Sequence, residues 1–461
     1  MKPWRNGLVE ILDILSLIPQ FGGLLYTVAA FIVALSIIVF VHEFGHYIVG
    51  RWSGIHAEVF SIGFGPVLIS RRDRRGTRWQ VAALPFGGYV KFLGDADAAS
   101  GRDAEAMAAA AQDPARLRRT MHGAPLWARA ATVAAGPMFN FAMSIVVFAA
   151  IFMLRGVVAE PLTVGAINPL PEAGAYELRA GDEILAIAGE RVPDAEDPAG
   201  WSDFLPAIPI NDVLDYDVRR DGSRITVSGP YPMPPLIAQV APRSAAMDSG
   251  LRPGDVIVAA DGEPITAFEQ LRDMVEASDG APLLIEVWRR GEVQDFTLTP
   301  RRTDEPAAGG GFSNQWRIGI AGEMAFTPAT RTAGPVEALG SAFAQTGAVI
   351  TGSLSGLWHM LTGAISSCNM SGPIGIAEAS GAMASQGTQS FIWFIAVLST
   401  AIGLLNLFPI PALDGGHLLF YAYEAVAGRP LSDRVLRLFM AFGISLILGL
   451  MIFALSNDLF C

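Results

Sequence analysis

Charge is scarce in this chain. Only 16% of its 461 residues are Asp, Glu, Lys or Arg, while 51% are hydrophobic, a low charged fraction for a water-soluble globular protein. Basic residues are outnumbered by acidic ones, 32 to 44, for a formal net charge of −12. The basic footprint that nucleic acid requires is missing, so no nucleic-acid partner is expected. Cysteine is almost absent. Cys368 and Cys461 are the only two, which excludes a disulfide framework and a cysteine-based zinc site. Two free thiols are the expectation, a single disulfide the alternative. Residues 1–23 mix charge with Pro and Gly and offer no small-residue cleavage site, so no cleavable signal peptide is expected.

Long apolar runs are what the chain has in place of charge. Four of them, at about 21–50, 127–154, 391–423 and 438–456, match the roughly 20 residues needed to cross a hydrocarbon core about 30 Å thick. Arg and Lys beside them set the expected orientation. The link between runs one and two carries Arg51, Arg71, Arg72, Arg74, Arg75, Arg78 and Arg129, and that between runs three and four carries Arg429, Arg434 and Arg437. Both links are therefore expected on the cytoplasmic side and both termini outside, with Lys2 and Arg5 in mild disagreement. A fifth uncharged stretch, 338–377, is rich in Gly, Ser and Thr. Were it a span, the Arg-rich link would lie outside, so it reads as interfacial or amphipathic helices on the outer face.

Residues 56–95 read as strands. Two β-rich runs flank a charged turn at Arg71–Gly76, the pattern of a hairpin. Strand backbone at membrane depth is tolerated inside protein or a wet cavity, and its edge could pair with an extended substrate; an ordinary cytoplasmic hairpin fits the pattern equally. Residues 96–125 read as a solvated cytoplasmic loop. Between 157 and 302 the chain repeats itself: Leu178-Arg179-Ala180-Gly181-Asp182-Glu183-Ile184 answers Leu251-Arg252-Pro253-Gly254-Asp255-Val256-Ile257. Both copies resemble PDZ domains of bacterial protease type, which implies small α/β modules over 157–232 and 233–302. They capture peptide ends or act as spacers and size filters; their ligands are not readable. Residues 303–335, with Gly309-Gly310-Gly311, read as a loosely ordered connector with a short strand near 316–320.

The first apolar run ends in His42-Glu43-Phe44-Gly45-His46. On a helix this spacing sets two histidines one turn apart with a glutamate beside them, a zinc-plus-base arrangement. Ionisable groups at membrane depth are costly and usually functional. A catalytic zinc takes three protein ligands and keeps an open position. Asp414 is the best third ligand. It closes the charge-free third run, within Asn406-Leu407-Phe408-Pro409-Ile410-Pro411-Ala412-Leu413-Asp414-Gly415-Gly416-His417. Pro409 and Pro411 each remove a backbone donor and break the helix, which frees Asp414 to turn towards His42 and His46 and leaves backbone able to pair with substrate. Glu43 is the natural base. His417 reads as a helix-end or supporting residue rather than a ligand, and His56, His122 and His359 show no partner pattern.

With these two motifs, the PDZ-like pair and the segments Gly63-Phe64-Gly65, Pro85-Phe86-Gly87-Gly88-Tyr89-Val90-Lys91, Ala135-Gly136-Pro137 with Asn140, and Ser371-Gly372-Pro373-Ile374-Gly375-Ile376, the chain resembles the site-2 protease family of intramembrane zinc metalloproteases. The resemblance covers nearly the whole chain. It implies one Zn2+ per chain on His42, His46 and Asp414, with Glu43 as catalytic base. It implies that the segment around Gly63, Phe64 and Gly65 is a membrane-re-entrant β-loop that presents substrate, and that Asn406 contacts substrate backbone. It further implies a multi-pass protein of the bacterial inner membrane with periplasmic PDZ domains. Its activity would be site-2 cleavage of single-span proteins of anti-sigma-factor type, with remnant signal peptides as a second class, in envelope stress signalling. The expected fold is thus a polytopic α-helical membrane protein: a first helix in 1–55, the β-loop in 56–95, a second helix in 126–155, the PDZ pair, a connector and interfacial helices in 303–389, and helices in 390–424 and 432–457. The stretch 94–115 and the extension before Leu24 depart from the family pattern.

Overall fold

A computed structural model describes residues 19–96, 103–171, 176–194, 197–306 and 312–460. The extension before residue 19, part of the 94–115 stretch, Ala173-Gly174, Gly309–Gly311 and Cys461 lie outside them. The chain divides into two compact units, the first holding the described residues up to 149 with 339–358 and 367–460, the second 150–338 and 359–366.

Among the described residues, four helices are long and apolar enough to cross a membrane: Gly23–Trp52, Leu126–Arg155, Thr388–Asn406 and Arg434–Phe460. They belong to α1 (Pro19–Trp52), α2 (Leu126–Arg155), α4 (Thr388–Asn406) and α6 (Asp433–Phe460), with α3 (Pro373–Ser385) preceding α4 and α5 (Asp414–Ala427) following it. Where hydrocarbon replaces water, packing and inter-helix hydrogen bonds do the joining. Ser144 donates to the Ala396 carbonyl at 2.8 Å and Ser399 to the Asn140 carbonyl at 3.1 Å, stitching α2 to α4. At the start of α2, Arg129 makes a two-pronged ion pair with Glu424 of α5, at 2.9 and 2.6 Å. The third apolar run is broken as its prolines require: helix stops at Asn406 and resumes at Asp414.

The N-terminus of α3 is capped from another helix. Buried Asp458 of α6 accepts from the backbone N–H groups of Gly372, Ile374 and Gly375 at 2.9, 3.0 and 3.1 Å, satisfying donors that no intrahelical carbonyl can reach. Nearby, Cys368 is disulfide-bonded. A bonded Cys368 corrects the expectation of two free thiols.

Strands β1 (Ala57–Arg72) and β2 (Arg78–Phe92) form one antiparallel hairpin folded back on itself. Residues 57–62 pair with 78–81 on one side and with 88–92 on the other, while 67–72 pair with 78–82. Gly63 and Gly65, at φ 86° and 82°, bend β1, in a region open to glycine. A side chain on Gly63 would also strike the Leu84 and Ala82 carbonyls, at 2.7 and 2.9 Å. Beneath the sheet, Phe60 stacks on Trp79 with ring centroids 4.3 Å apart, and Tyr47 of α1 meets both edge-on.

The second unit holds two α/β modules of the same topology. In the first, β3 (Val164–Ile167) precedes β4 (Glu183–Ile187), β5 (Glu190–Arg191), β6 (Leu214–Arg220) and β7 (Ser223–Gly229), in sheet order β5-β4-β6-β7. In the second, β8 (Ile237–Val240) precedes β9 (Val256–Ala260), β10 (Glu263–Pro264), β11 (Leu283–Arg289) and β12 (Glu292–Leu298), in order β10-β9-β11-β12. The repeat extends to its charges. Arg220 grips Asp182 through two bonds of 2.7 Å, and Arg289 grips Asp255 at 2.7 and 2.6 Å. Each aspartate also accepts from a backbone N–H three residues back, Arg179 or Arg252, at 2.8 Å. Residues 303–335 are more than a connector. After the hairpin of β13 (Arg301–Pro306) and β14 (Phe312–Arg317), β15 (Ile320–Gly322) pairs with β8 and β16 (Phe326–Pro328) with β3. Each module is completed by a strand that arrives after both are built.

Candidate metal centre

His42 and His46 occupy successive turns of α1, and Asp414 opens α5. The non-helical segment between α4 and α5 brings the three together. His42 Nε2 lies 3.2 Å from His46 Nε2 and 3.1 Å from Asp414 Oδ2, and His46 Nε2 lies 3.5 Å from the same oxygen. Among the described residues this is the one cluster of His, Cys, Asp and Glu with metal-binding spacing. Four-coordinate zinc holds N and O ligands at about 2.0–2.2 Å, which separates ligand atoms by roughly 3.3 Å at tetrahedral angles. The triangle has that size. Three lone-pair atoms this close in a half-buried site repel one another unless protons or a cation lie between them, so the donor set fits zinc.

Hydrogen bonds fix both rings. His46 Nδ1 donates to the Thr132 carbonyl at 2.8 Å, which leaves Nε2 as the lone-pair nitrogen facing the cluster. His42 Nδ1 lies 3.3 Å from the side-chain amide of fully buried Asn140. Which end of that amide faces the ring is an assignment. Ligation through Nε2 leaves a proton on Nδ1 and so calls for the amide oxygen. Thr132 and Asn140 both sit on α2, which contains Pro137. Between them, Gly136 presents no side chain to the cluster; a Cβ there would overlap His46 Nε2 and come within 2.9 Å of His42 Cε1. The metal space exists because residue 136 is glycine.

Glu43 lies beside the two histidines against β2. Its carboxylate receives the Val90 N–H, and Gly88 lets the strand approach, since a Cβ there would be 3.1 Å from Glu43 Cγ. A cavity of about 290 Å³ opens over the cluster, lined among others by His42, Glu43, His46, Tyr89, Val90, Asn406, Asp414 and His417. One wall is the 88–92 segment of β2, whose partner strand lies on one side only. An extended chain in the cavity would meet an open strand edge next to a carboxylate and three metal-type donors, the elements of a metal-assisted hydrolase.

Of the residues singled out from sequence, His42, Glu43, His46, Asn406 and Asp414 meet at this cavity. Gly63, Phe64, Gly65, Pro409 and Pro411 do not line it. Phe64 stacks on Tyr89, which does, with centroids 5.9 Å apart; Gly63 and Gly65 shape the sheet, and the two prolines break the helix that carries Asp414. His122 proves to have a partner: its Nε2 faces the buried Asp95 carboxylate at 3.4 Å. Thr132 gave no signal in the sequence, and Gly88 and Gly136 appeared there only within segments matching the family pattern, because what these residues contribute is a carbonyl or an absent side chain at a place set by packing. Asn140 was visible only through the family pattern.

Comparison with known proteins agrees with this geometry. The family model described as Peptidase family M50 matches residues 30–450. A protein of Agrobacterium fabrum named as a zinc metalloprotease is 37% identical over 446 residues, covering 95% of this chain and 97% of its own. One of Rhizobium meliloti, named likewise, is 38% identical over 438 residues, covering 95% and 97%. The regulator of sigma-E protease RseP of Salmonella typhimurium is 33% identical over 470 residues, covering 95% and 99%. The chain therefore belongs to Peptidase family M50, the site-2 proteases, and is a membrane metalloprotease.

Proposed function

We propose that this protein cleaves single-span membrane proteins within the bilayer, using one zinc ion held by His42, His46 and Asp414. The observation that carries the reading is the triangle of donor atoms, 3.1–3.5 Å on a side, beside Glu43. When bound, zinc supplies a Lewis acid that polarises a carbonyl and makes water a better nucleophile at neutral pH. The chain's own residues do the rest. Glu43 removes a proton from the attacking water and delivers it to the leaving amine nitrogen as the C–N bond breaks. The Val90 N–H orients the Glu43 carboxylate. Thr132 and Asn140 hold the histidine rings.

Substrate must be extended to be cut, because a helical peptide bond is shielded by its own turn. The 88–92 edge of β2 offers backbone partners on one side of the cavity, and Asn406 with the Ala412–Leu413 backbone that follows Pro409 and Pro411 offers polar groups on the other. Gly63, Phe64 and Gly65 shape and support this sheet as a membrane-re-entrant loop. The two α/β modules act as PDZ domains on the periplasmic side, admitting a substrate after its ectodomain has been trimmed. The Arg-rich links support placing the metal centre towards the cytoplasm, and a disulfide at Cys368 suits the oxidising face opposite. Likeness to the regulator of sigma-E protease supports an anti-sigma factor as substrate, remnant signal peptides as a second class, and a role in envelope stress signalling from the inner membrane. The test is cleavage of a fluorescent single-span substrate by purified protein, with and without chelator. Chelation should abolish cleavage and added zinc restore it; cleavage indifferent to chelation at full metal removal contradicts the proposal.

A further inference from the structure

The turn between β1 and β2 concentrates positive charge in a chain that is acidic overall. Arg71, Arg72, Arg74, Arg75 and Arg78 fall within eight positions and all five are exposed. The one acid among them is already engaged. Asp73 accepts from the Arg75 and Thr77 N–H groups at 2.8 and 3.0 Å, from the Tyr47 hydroxyl at 3.2 Å and from the Trp79 indole at 3.4 Å. It also faces Arg51 of α1 at 3.7 Å. Among the described residues, none of the five arginines has an ion-pair partner. Arg72 stands directly opposite Arg78 in the register, so two like charges share one face of the hairpin. That arrangement opposes strand pairing unless an anion sits between them.

The same two strands are apolar and exposed at their other end. Leu68 is 66% exposed, Ile69 72% and Leu84 51%. From Ile69 to Arg72 is a rise of only about 10 Å, over which the surface passes from bare hydrocarbon to bare guanidinium. That is the polarity profile of a bilayer boundary, and Arg binds phosphate through paired N–H groups. Free phosphate would satisfy the arginines but leave Leu68 and Ile69 in water; a phospholipid satisfies both.

We propose that the Arg71–Arg78 turn is a binding site for the headgroup phosphate of anionic phospholipid, with Arg72 and Arg78 sharing one phosphate. The inference rests on the membrane placement of the hairpin proposed above. Through Asp73 the turn is tied to Tyr47 and Arg51 of α1, one and five residues beyond His46, so the bound lipid sets the depth of β2 beside the metal centre.

Native mass spectrometry of the full chain in detergent, titrated with phosphatidylglycerol or phosphatidylcholine, tests this. The wild type should retain phosphatidylglycerol in preference. Replacing both Arg72→Gln and Arg78→Gln should weaken its retention roughly twenty-fivefold, from about fivefold for each basic residue near an anionic surface. The exposed pair Arg74→Gln and Arg75→Gln should weaken it as well, and Arg72→Lys with Arg78→Lys should keep most of it. Equal retention by the wild type and both Gln variants, equal retention of the two lipids, or displacement of phosphatidylglycerol by millimolar inorganic phosphate overturns the proposal.

Discussion

The ring of His46 is fixed by the backbone of a different helix: its Nδ1 donates to the Thr132 carbonyl at 2.8 Å. The metal-facing nitrogen of α1 is therefore positioned by α2, and so is that of His42, through Asn140. Second contacts of this kind tune metal affinity by about 10–100-fold. Asn140→Leu, which keeps the volume and removes the amide, should weaken zinc affinity by about that factor in a chelator competition, while Asn140→Asp, which supplies an acceptor for His42 Nδ1, should retain more of it. Equal affinity in the Leu variant removes Asn140 from the account.

Gly136 makes a sharper case. Any side chain there enters the space between the imidazoles. Gly136→Val should leave the helices intact by circular dichroism, since Val is accommodated in apolar membrane helices, yet the purified protein should carry little zinc. A Gly136→Val protein with full zinc content would mean that the metal lies elsewhere.

Legibility in the sequence followed the range of the interaction. His42, Glu43 and His46 were readable because a helix fixes their relation within five residues. Asp414 was readable because a lone carboxylate at the end of an uncharged run demands a partner. The α/β repeat was readable from its Gly-Asp turns, and the Asp182–Arg220 and Asp255–Arg289 pairs extend it. Thr132 was not readable, nor were the roles of Gly88 and Gly136, seen only as parts of matching segments, since their importance arises where one element approaches another. The strands at 320–322 and 326–328 were missed for a related reason. Their partners, 237–240 and 164–167, lie about 80 and 160 residues earlier, and segments this short carry no strand pattern of their own. Gly63 and Gly65 were legible only as part of the substrate-presenting loop that the resemblance implies; the bend they make in the folded-back hairpin was not.

The Asp182–Arg220 pair should stabilise its module in a pH-dependent way. Burial pushes the Asp182 carboxyl up, but the bonds from Arg220 and the Arg179 N–H outweigh it and hold the group below its ordinary 3.8. A pKa depressed on folding contributes stability that is fully present above the unfolded value and is lost as pH falls through the folded one. Asp182→Asn should therefore destabilise the first module by about 2 kcal/mol at pH 7, read as a lower urea midpoint for proteolysis between residues 157 and 232. The gap between the two proteins should close below about pH 4. An unchanged midpoint at pH 7 would show the pair to be energetically silent.

Membrane placement of the β1–β2 hairpin is separable from its lipid chemistry. In native membranes a cysteine at Leu68, introduced as Leu68→Cys, should resist a water-soluble maleimide, whereas one at Arg74→Cys should react. Protection at 68 with no preference for phosphatidylglycerol would retire the lipid site alone; rapid labelling at 68 would remove the hairpin from the bilayer.

The central claim, that Glu43 is the base of a zinc site built from His42, His46 and Asp414, is tested most directly by Glu43→Gln. Zinc content and cleavage of a single-span substrate are measured on the same preparation. Because Gln keeps the shape but cannot take a proton, the account predicts about one zinc per chain, as in the wild type, with cleavage reduced by about 10²–10⁴-fold. Wild-type cleavage in the Glu43→Gln protein would contradict it.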